Sequence, residues 1–88
     1  MPTISMFFGI VIRMYYGPKE HNPPHVHAVY QGSEAIFSMS EARKTSGDFP
    51  AKQSKLVEAW IEIHNEELLA NWQLCQNGEK PFPSDPLR

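Results

Sequence analysis

Proline placement constrains this chain more than any other feature, because proline fixes φ and offers no N–H to a helix or a sheet ladder. Eight of the 88 residues are proline. Gly17-Pro18 and Asn22-Pro23-Pro24 interrupt the first half, Pro50 divides the chain, and Pro81, Pro83 and Pro86 punctuate its end. Regular structure has to fit between these points. The run from Phe7 to Tyr16 (FFGIVIRMYY) has the β-branched and aromatic composition of a strand and ends at Gly17-Pro18. A second strand is predicted from His25 to Gln31, a turn at Gly32-Ser33, and a third strand from Glu34 to Met39, the last two forming a hairpin. Residues 40–49 leave room for a short edge strand. Pro50 suits the first turn of a helix, which is predicted to run from Ala51 to Gln76, with Asp48 as cap or dipole partner and Asn77-Gly78 as the stop. The predicted fold class is α+β: a small antiparallel sheet of three to four strands with one long C-terminal helix packed on one face. Residues 1–78 form the single domain, and 79–88 an extended Pro-rich tail docked through Phe82 or Leu87.

The remaining composition narrows the class. A chain of 88 residues has room for one domain. A hydrophobic fraction of 41% with 11% aromatics argues for a folded globule and against disorder. A net charge of −2 excludes a strongly basic nucleic-acid module. The charge is uneven: residues 1–44 hold four Lys/Arg against three Asp/Glu, and residues 45–88 hold four against seven. An anionic ligand would therefore prefer the first half. Cys75 is the single cysteine, which excludes an internal disulfide framework and fits a reducing cytoplasm. The apolar run from Met6 to Ile12 is cut by Arg13, well short of the roughly 20 residues of a membrane span. No membrane or targeting segment is expected.

On a helical wheel, Leu56, Val57, Trp60, Ile61, Ile63, Leu68, Trp72, Leu74 and Cys75 share one apolar arc. Lys55, Glu58 and Glu62 lie opposite, as a solvated face. Polar residues interrupt the apolar arc: Trp60, His64, Glu67 and Asn71 follow i, i+4, i+7, i+11 and form a stripe with Gln53 nearby. Buried polar groups need partners. The stripe is either a hydrogen-bond network anchoring the helix to strand edges or loop backbone, or a site wall in which His64 and Glu67 share a proton or bind a metal.

The strongest local signal is His21-Asn22-Pro23-Pro24-His25-Val26-His27. His25 and His27, at i and i+2 on a strand, point to one face. Paired imidazoles can act as acid and base, contact phosphate, or bind a divalent metal together with His21; a structural role is the alternative. If Val26 and Ala28 face the helix, the two histidines share the open sheet face with Arg13 and Tyr15, a combination suited to RNA. Strand-one alternation then turns Phe8, Ile10, Ile12, Met14 and Tyr16 toward the helix. In the opposite phase, His25 and His27 meet His64 and Glu67 across the core. The first arrangement is the one expected. Tyr15, Tyr16 and Tyr30 are either packing residues or stacking platforms.

These segments carry a resemblance. The start MPTISMFFGIVIRMYY, then HNPPHVHA, then LVEAWIEIHNEELLANWQL resemble the small bacterial family called domain of unknown function 4160, from Met1 to about Gly78. The specific pieces are P-T-I-S, I-R-M-Y-Y, H-N-P-P-H-x-H-A and W-x-x-x-H-x-x-E-L-L-x-N-W. Gly17-Pro18-Lys19-Glu20 makes the loop before the histidines longer than the family pattern. Such proteins are typically encoded beside a member of another family, domain of unknown function 2442, and the pair is similar to a type II toxin–antitoxin module with this protein as the toxin. The resemblance implies a cytoplasmic protein held inactive by a small antitoxin-like partner, and it establishes no catalytic residues. Three functions follow as expectations. The first is a toxin acting on RNA without a metal, with Arg13, His25, His27 and His64 as base, acid and cation, and Tyr15, Tyr16, Tyr30, Trp60, Glu67 and Asn71 as partner or substrate contacts. The second is a non-catalytic interaction or regulatory subunit. The third is a small metal-binding protein using His25, His27 and His21. No cofactor is expected, a divalent metal being the alternative.

Overall fold

The computed structural model describes residues 2–15 and 23–88. Tyr16 and His21 lie outside the described residues. The elements are β1 (Thr3–Phe7), β2 (Ile10–Arg13), β3 (His25–Tyr30), β4 (Ser33–Ser38), β5 (Arg43–Gly47), α1 (Ala51–Ile63) and α2 (Asn65–Gln76). The strands form one antiparallel sheet in the order β1-β2-β3-β4-β5. The fold is thus α+β, with five strands rather than three or four, and two helices rather than one.

The additional strand, β1, comes from the N-terminus. The predicted run from Phe7 is split by a turn at Phe8-Gly9, with φ of 49° and 78°. Two successive left-handed residues are the geometry of a two-residue hairpin turn. A side chain at Gly9 would also be crowded, since its Cβ would lie 3.3 Å from Tyr30 Cε1. The turn resets the alternation. Phe7 is buried against Trp60, while Phe8 is 60% exposed at the tip instead of buried beneath the helix. From β2 onward the expected phase holds: Ile10, Ile12 and Met14 are fully buried.

The next hairpin turns at Gln31-Gly32, with φ of 46° and 83°, one residue before the predicted Gly32-Ser33. β5 realises the edge strand for which residues 40–49 left room. It approaches β4 closely at Gly47, where φ is +89° and an added Cβ would sit 2.5 Å from the Glu34 carbonyl.

The helix departs from expectation at both its start and its middle. Pro50 is the N-cap, and no side chain caps this end, so Asp48 has no capping role. His64 interrupts the helix at φ −105° and ψ 19°. The ladder nonetheless continues across it, because the His64 N–H donates to Trp60 O at 3.0 Å and the Leu68 N–H donates to His64 O at 2.9 Å. Asn65 fixes the break by donating from Nδ2 to the Met39 carbonyl at 2.8 Å. The stop is as predicted. Gly78 is left-handed, its N–H donates to Cys75 O, and the Glu79 N–H donates to Leu74 O, the paired bonds of a Schellman motif.

Both helices cover one face of the sheet. Ile12, Val26, Ala28, Phe37 and Met39 from the sheet meet Val57, Trp60, Ile61, Leu68, Trp72 and Cys75 in a single buried cluster. Each large side chain removed from water contributes about 1.5–3 kcal/mol. Ile63 and Leu69 are exceptions on the helices: they are 67% and 38% exposed. Ile63 lies at the rim of the predicted apolar arc, beyond the width of the sheet's cover.

The tail crosses the helices without forming a helix or strand of its own. Trp60 Nε1 donates to Asp85 O at 2.8 Å, Asn71 Nδ2 donates to Phe82 O at 2.8 Å, and the Phe82 N–H donates back to Asn71 Oδ1 at 3.0 Å. The Ser84 N–H donates to Ile4 O at 2.7 Å, so the tail also borders β1. Pro81 and Ser84 are buried and Leu87 packs on the core, whereas the Phe82 ring is 69% exposed. Docking is therefore through Leu87 and backbone, not through Phe82. Trp60 and Asn71 take the network role offered for the stripe.

Asn71→Ala removes both hydrogen bonds to Phe82 and leaves its carbonyl and N–H without that partner. The expected loss is about 1–3 kcal/mol of unfolding free energy in urea titration, with no change in m-value.

Candidate functional site on the open sheet face

Val26 and Ala28 are fully buried beneath the helices, so His25 and His27 lie on the opposite face of β3. Register determines their neighbours. Arg13 stands directly opposite His27 across β2 and β3, and Ile36 opposite His27 across β3 and β4. Tyr15 follows two residues after Arg13 and meets the His27 ring edge-on at 4.3 Å. The His25 and His27 rings are 5.3 Å apart. His25 is the first residue of β3, and there Trp72 of α2 reaches its ring at 5.0 Å. Arg13, Tyr15, His25 and His27 thus form one contiguous group, as expected for this phase.

Hydrogen bonding sets the two imidazoles apart. His25 Nδ1 lies 3.0 Å from the Pro23 carbonyl, which can only accept. The bond therefore holds His25 with its proton on Nδ1 and leaves Nε2 as the basic nitrogen. The Pro23-Pro24 step supplies this carbonyl, so the proline pair positions the imidazole. His27 Nδ1 lies 3.3 Å from Glu34 Oε2. Its side chain is only 15% exposed, while that of Glu34 is 51% exposed. The His27 Nε2 atom is buried.

Glu34 is a site residue that sequence reasoning missed. It pairs with Val29 and lies diagonal to His27 on the same face. The signal was available in the hairpin register. With the turn at Gly32-Ser33, Glu34 would sit opposite Gln31, far from His27. With the turn at Gln31-Gly32, it comes within reach.

Other candidates fall elsewhere. His64 Nδ1 pairs with Glu67 Oε1 one turn along the helix, and its ring lies 5.3 Å from Trp60. This pair is on the helical layer, apart from Arg13, His25 and His27. Trp60 is fully buried and Asn71 nearly so, both holding the tail. Tyr30 turns toward the core, 6.3 Å from Phe49 and over Gly9. Among the described residues, no group of three His, Cys, Asp or Glu side chains is placed to hold a metal ion. Nor is any helix among them long and apolar enough to cross a membrane.

The chain is a five-stranded antiparallel meander with helices on one face and a histidine–arginine–tyrosine group on the other. A family model described as a domain of unknown function (DUF4160) matches residues 9–73, and the chain belongs to that family. The match spans the Arg13 strand, both sheet histidines and the Trp60–Asn71 stripe. No curated protein and no solved structure matches the chain.

The His27–Glu34 contact is partly exposed, so it contributes little to stability. Glu34→Gln is expected to change unfolding free energy by less than about 0.5 kcal/mol. It should still shift the His27 Nδ1 resonance in long-range ¹⁵N–¹H spectra, leaving that of His25 in place.

Proposed function

We propose that this protein is the toxin component of a bacterial type II toxin–antitoxin pair, cytoplasmic, and acting on RNA at the open face of its sheet. The observation that carries the reading is the direct cross-strand pairing of Arg13 with His27, with Tyr15 edge-on to that ring and His25 beside it. RNA cleavage without a metal needs a base for the 2′-hydroxyl, an acid for the leaving 5′-oxygen, and a cation for charge on the phosphate. His25, with Nε2 as its basic nitrogen, takes the 2′-hydroxyl proton as the 2′-oxygen attacks phosphorus. His27, backed by Glu34, returns a proton to the 5′-oxygen as its bond to phosphorus breaks. Arg13 offsets the charge on the phosphoryl oxygens, and Tyr15 supplies a ring for a base to stack on. The antitoxin is a small protein of the domain of unknown function 2442 type.

One observation favours a second reading. The burial of His27 Nε2 and the pairing of its Nδ1 with Glu34 suit a ring that positions rather than reacts. On this reading the same face binds a partner protein and no bond is broken.

Expression of the chain alone should arrest growth, and co-expression of its partner should relieve the arrest. Growth unaffected in both cases removes the toxin reading. Purified protein should cut single-stranded RNA to 2′,3′-cyclic phosphate ends. His25→Ala is expected to lower the rate by about 10²–10⁴-fold. Growth arrest that survives His25→Ala and His27→Ala together favours the non-catalytic reading.

A further inference from the structure

The helical layer carries a second, outward stripe that nothing among the described residues covers. Lys52, Leu56, Ala59, Ile63 and Glu66 alternate steps of four and three, the spacing of a helix–helix seam. The stripe stays on one side because the backbone ladder runs through His64. Ile63 is 67% exposed, Lys52, Ala59 and Glu66 are exposed, and Leu56 is only partly buried. At its N-terminal end, Phe8, Lys52, Gln53 and Leu56 line a groove. Phe8 is held there at φ +49°, a conformation unfavourable for a bulky residue, with its ring 60% exposed.

The charges along the stripe are segregated. Lys52 and Lys55 lie at one end, while Glu62 and Glu66 flank Ile63 at the other. The first turn of α1 carries no acidic residue. The stripe is therefore complementary to itself in the antiparallel sense. We propose that its partner is a second copy of this chain, related by a two-fold axis across the middle of the stripe near Ala59. In that arrangement Ile63 of each copy enters the Phe8–Leu56 groove of the other. Lys52 and Lys55 face Glu62 and Glu66 of the second copy at both ends. The contact is isologous and closes as a dimer, so no open filament forms. Ala59 at the centre allows close helix approach, and the open sheet face, on the far side of the molecule, is left accessible in both copies.

Sedimentation velocity across a micromolar-to-millimolar concentration series tests the pairing. A reversible monomer–dimer equilibrium that weakens with added salt is expected. Ile63→Glu should raise the dissociation constant by about tenfold or more, with the monomer's thermal midpoint unchanged because Ile63 is exposed. Charge reversal provides a test that does not depend on Ile63. Neither Lys52→Glu/Lys55→Glu nor Glu62→Lys/Glu66→Lys should self-associate as well as the natural chain, whereas an equimolar mixture of the two regains part of the dimer. A monomer at every concentration overturns the proposal and leaves the stripe to another protein. So does a dimer indifferent to Ile63→Glu, or a mixture that associates no better than its components.

Discussion

A five-stranded sheet has two faces, and this chain has one helical layer to cover them. That shortage organises the molecule. The covered face must collect the apolar side chains, so β2 and β3 bury Ile10, Ile12, Val26 and Ala28 completely. The period of two along a strand then sends Arg13, His25 and His27 to the other side. The polar group on the open face is thus a geometric consequence of where the core lies. A shift of one residue in any strand would exchange the two sets and bury charge.

The helical layer is itself not wide enough. Ile63 and Leu69 remain exposed on it, while Trp60 and Asn71 are buried with polar side-chain groups that need partners. The tail completes the cover. Its backbone takes three hydrogen bonds from or to those two side chains, and one from Ser84 to the outer edge of β1. Extended, proline-rich chain suits this work, since its carbonyls are not used up in a regular ladder. The polar stripe that looks out of place on a helical wheel is therefore the seam between two coverings. His64 and Glu67, at the break between α1 and α2, satisfy each other instead.

The site and the core are linked through β3 and the segment before it. Pro23 gives its carbonyl to His25, and Trp72, a core residue, packs against the same ring. Among the four open-face residues, His25 is thus the one whose ring also touches a core side chain of α2. This contact brings together the helix segment that holds Trp72 and the strand segment that starts at His25, and both fall within the family match.

The sequence by itself determined the fold class, the hairpin of β3 and β4, and the Asn77-Gly78 helix stop, and it placed His25 and His27 together on one face of their strand. These rest on period-two and period-3.6 patterning and on proline and glycine, all of which act over a few residues. Tertiary structure decided what local signals do not encode. Which face the two histidines take was decided by the burial of Val26 and Ala28. Phe8-Gly9 and Gln31-Gly32 are turns because Phe8 and Gln31 are forced to positive φ by the strands they join, although neither resembles the usual Asn-Gly turn. That one-residue difference in the second turn placed Glu34 beside His27. The break at His64 and the roles of Trp60 and Asn71 depended on partners as distant in sequence as Met39, Phe82 and Asp85. Contacts across such separations are fixed only when the whole chain closes on its core, and helical periodicity alone carries no record of them.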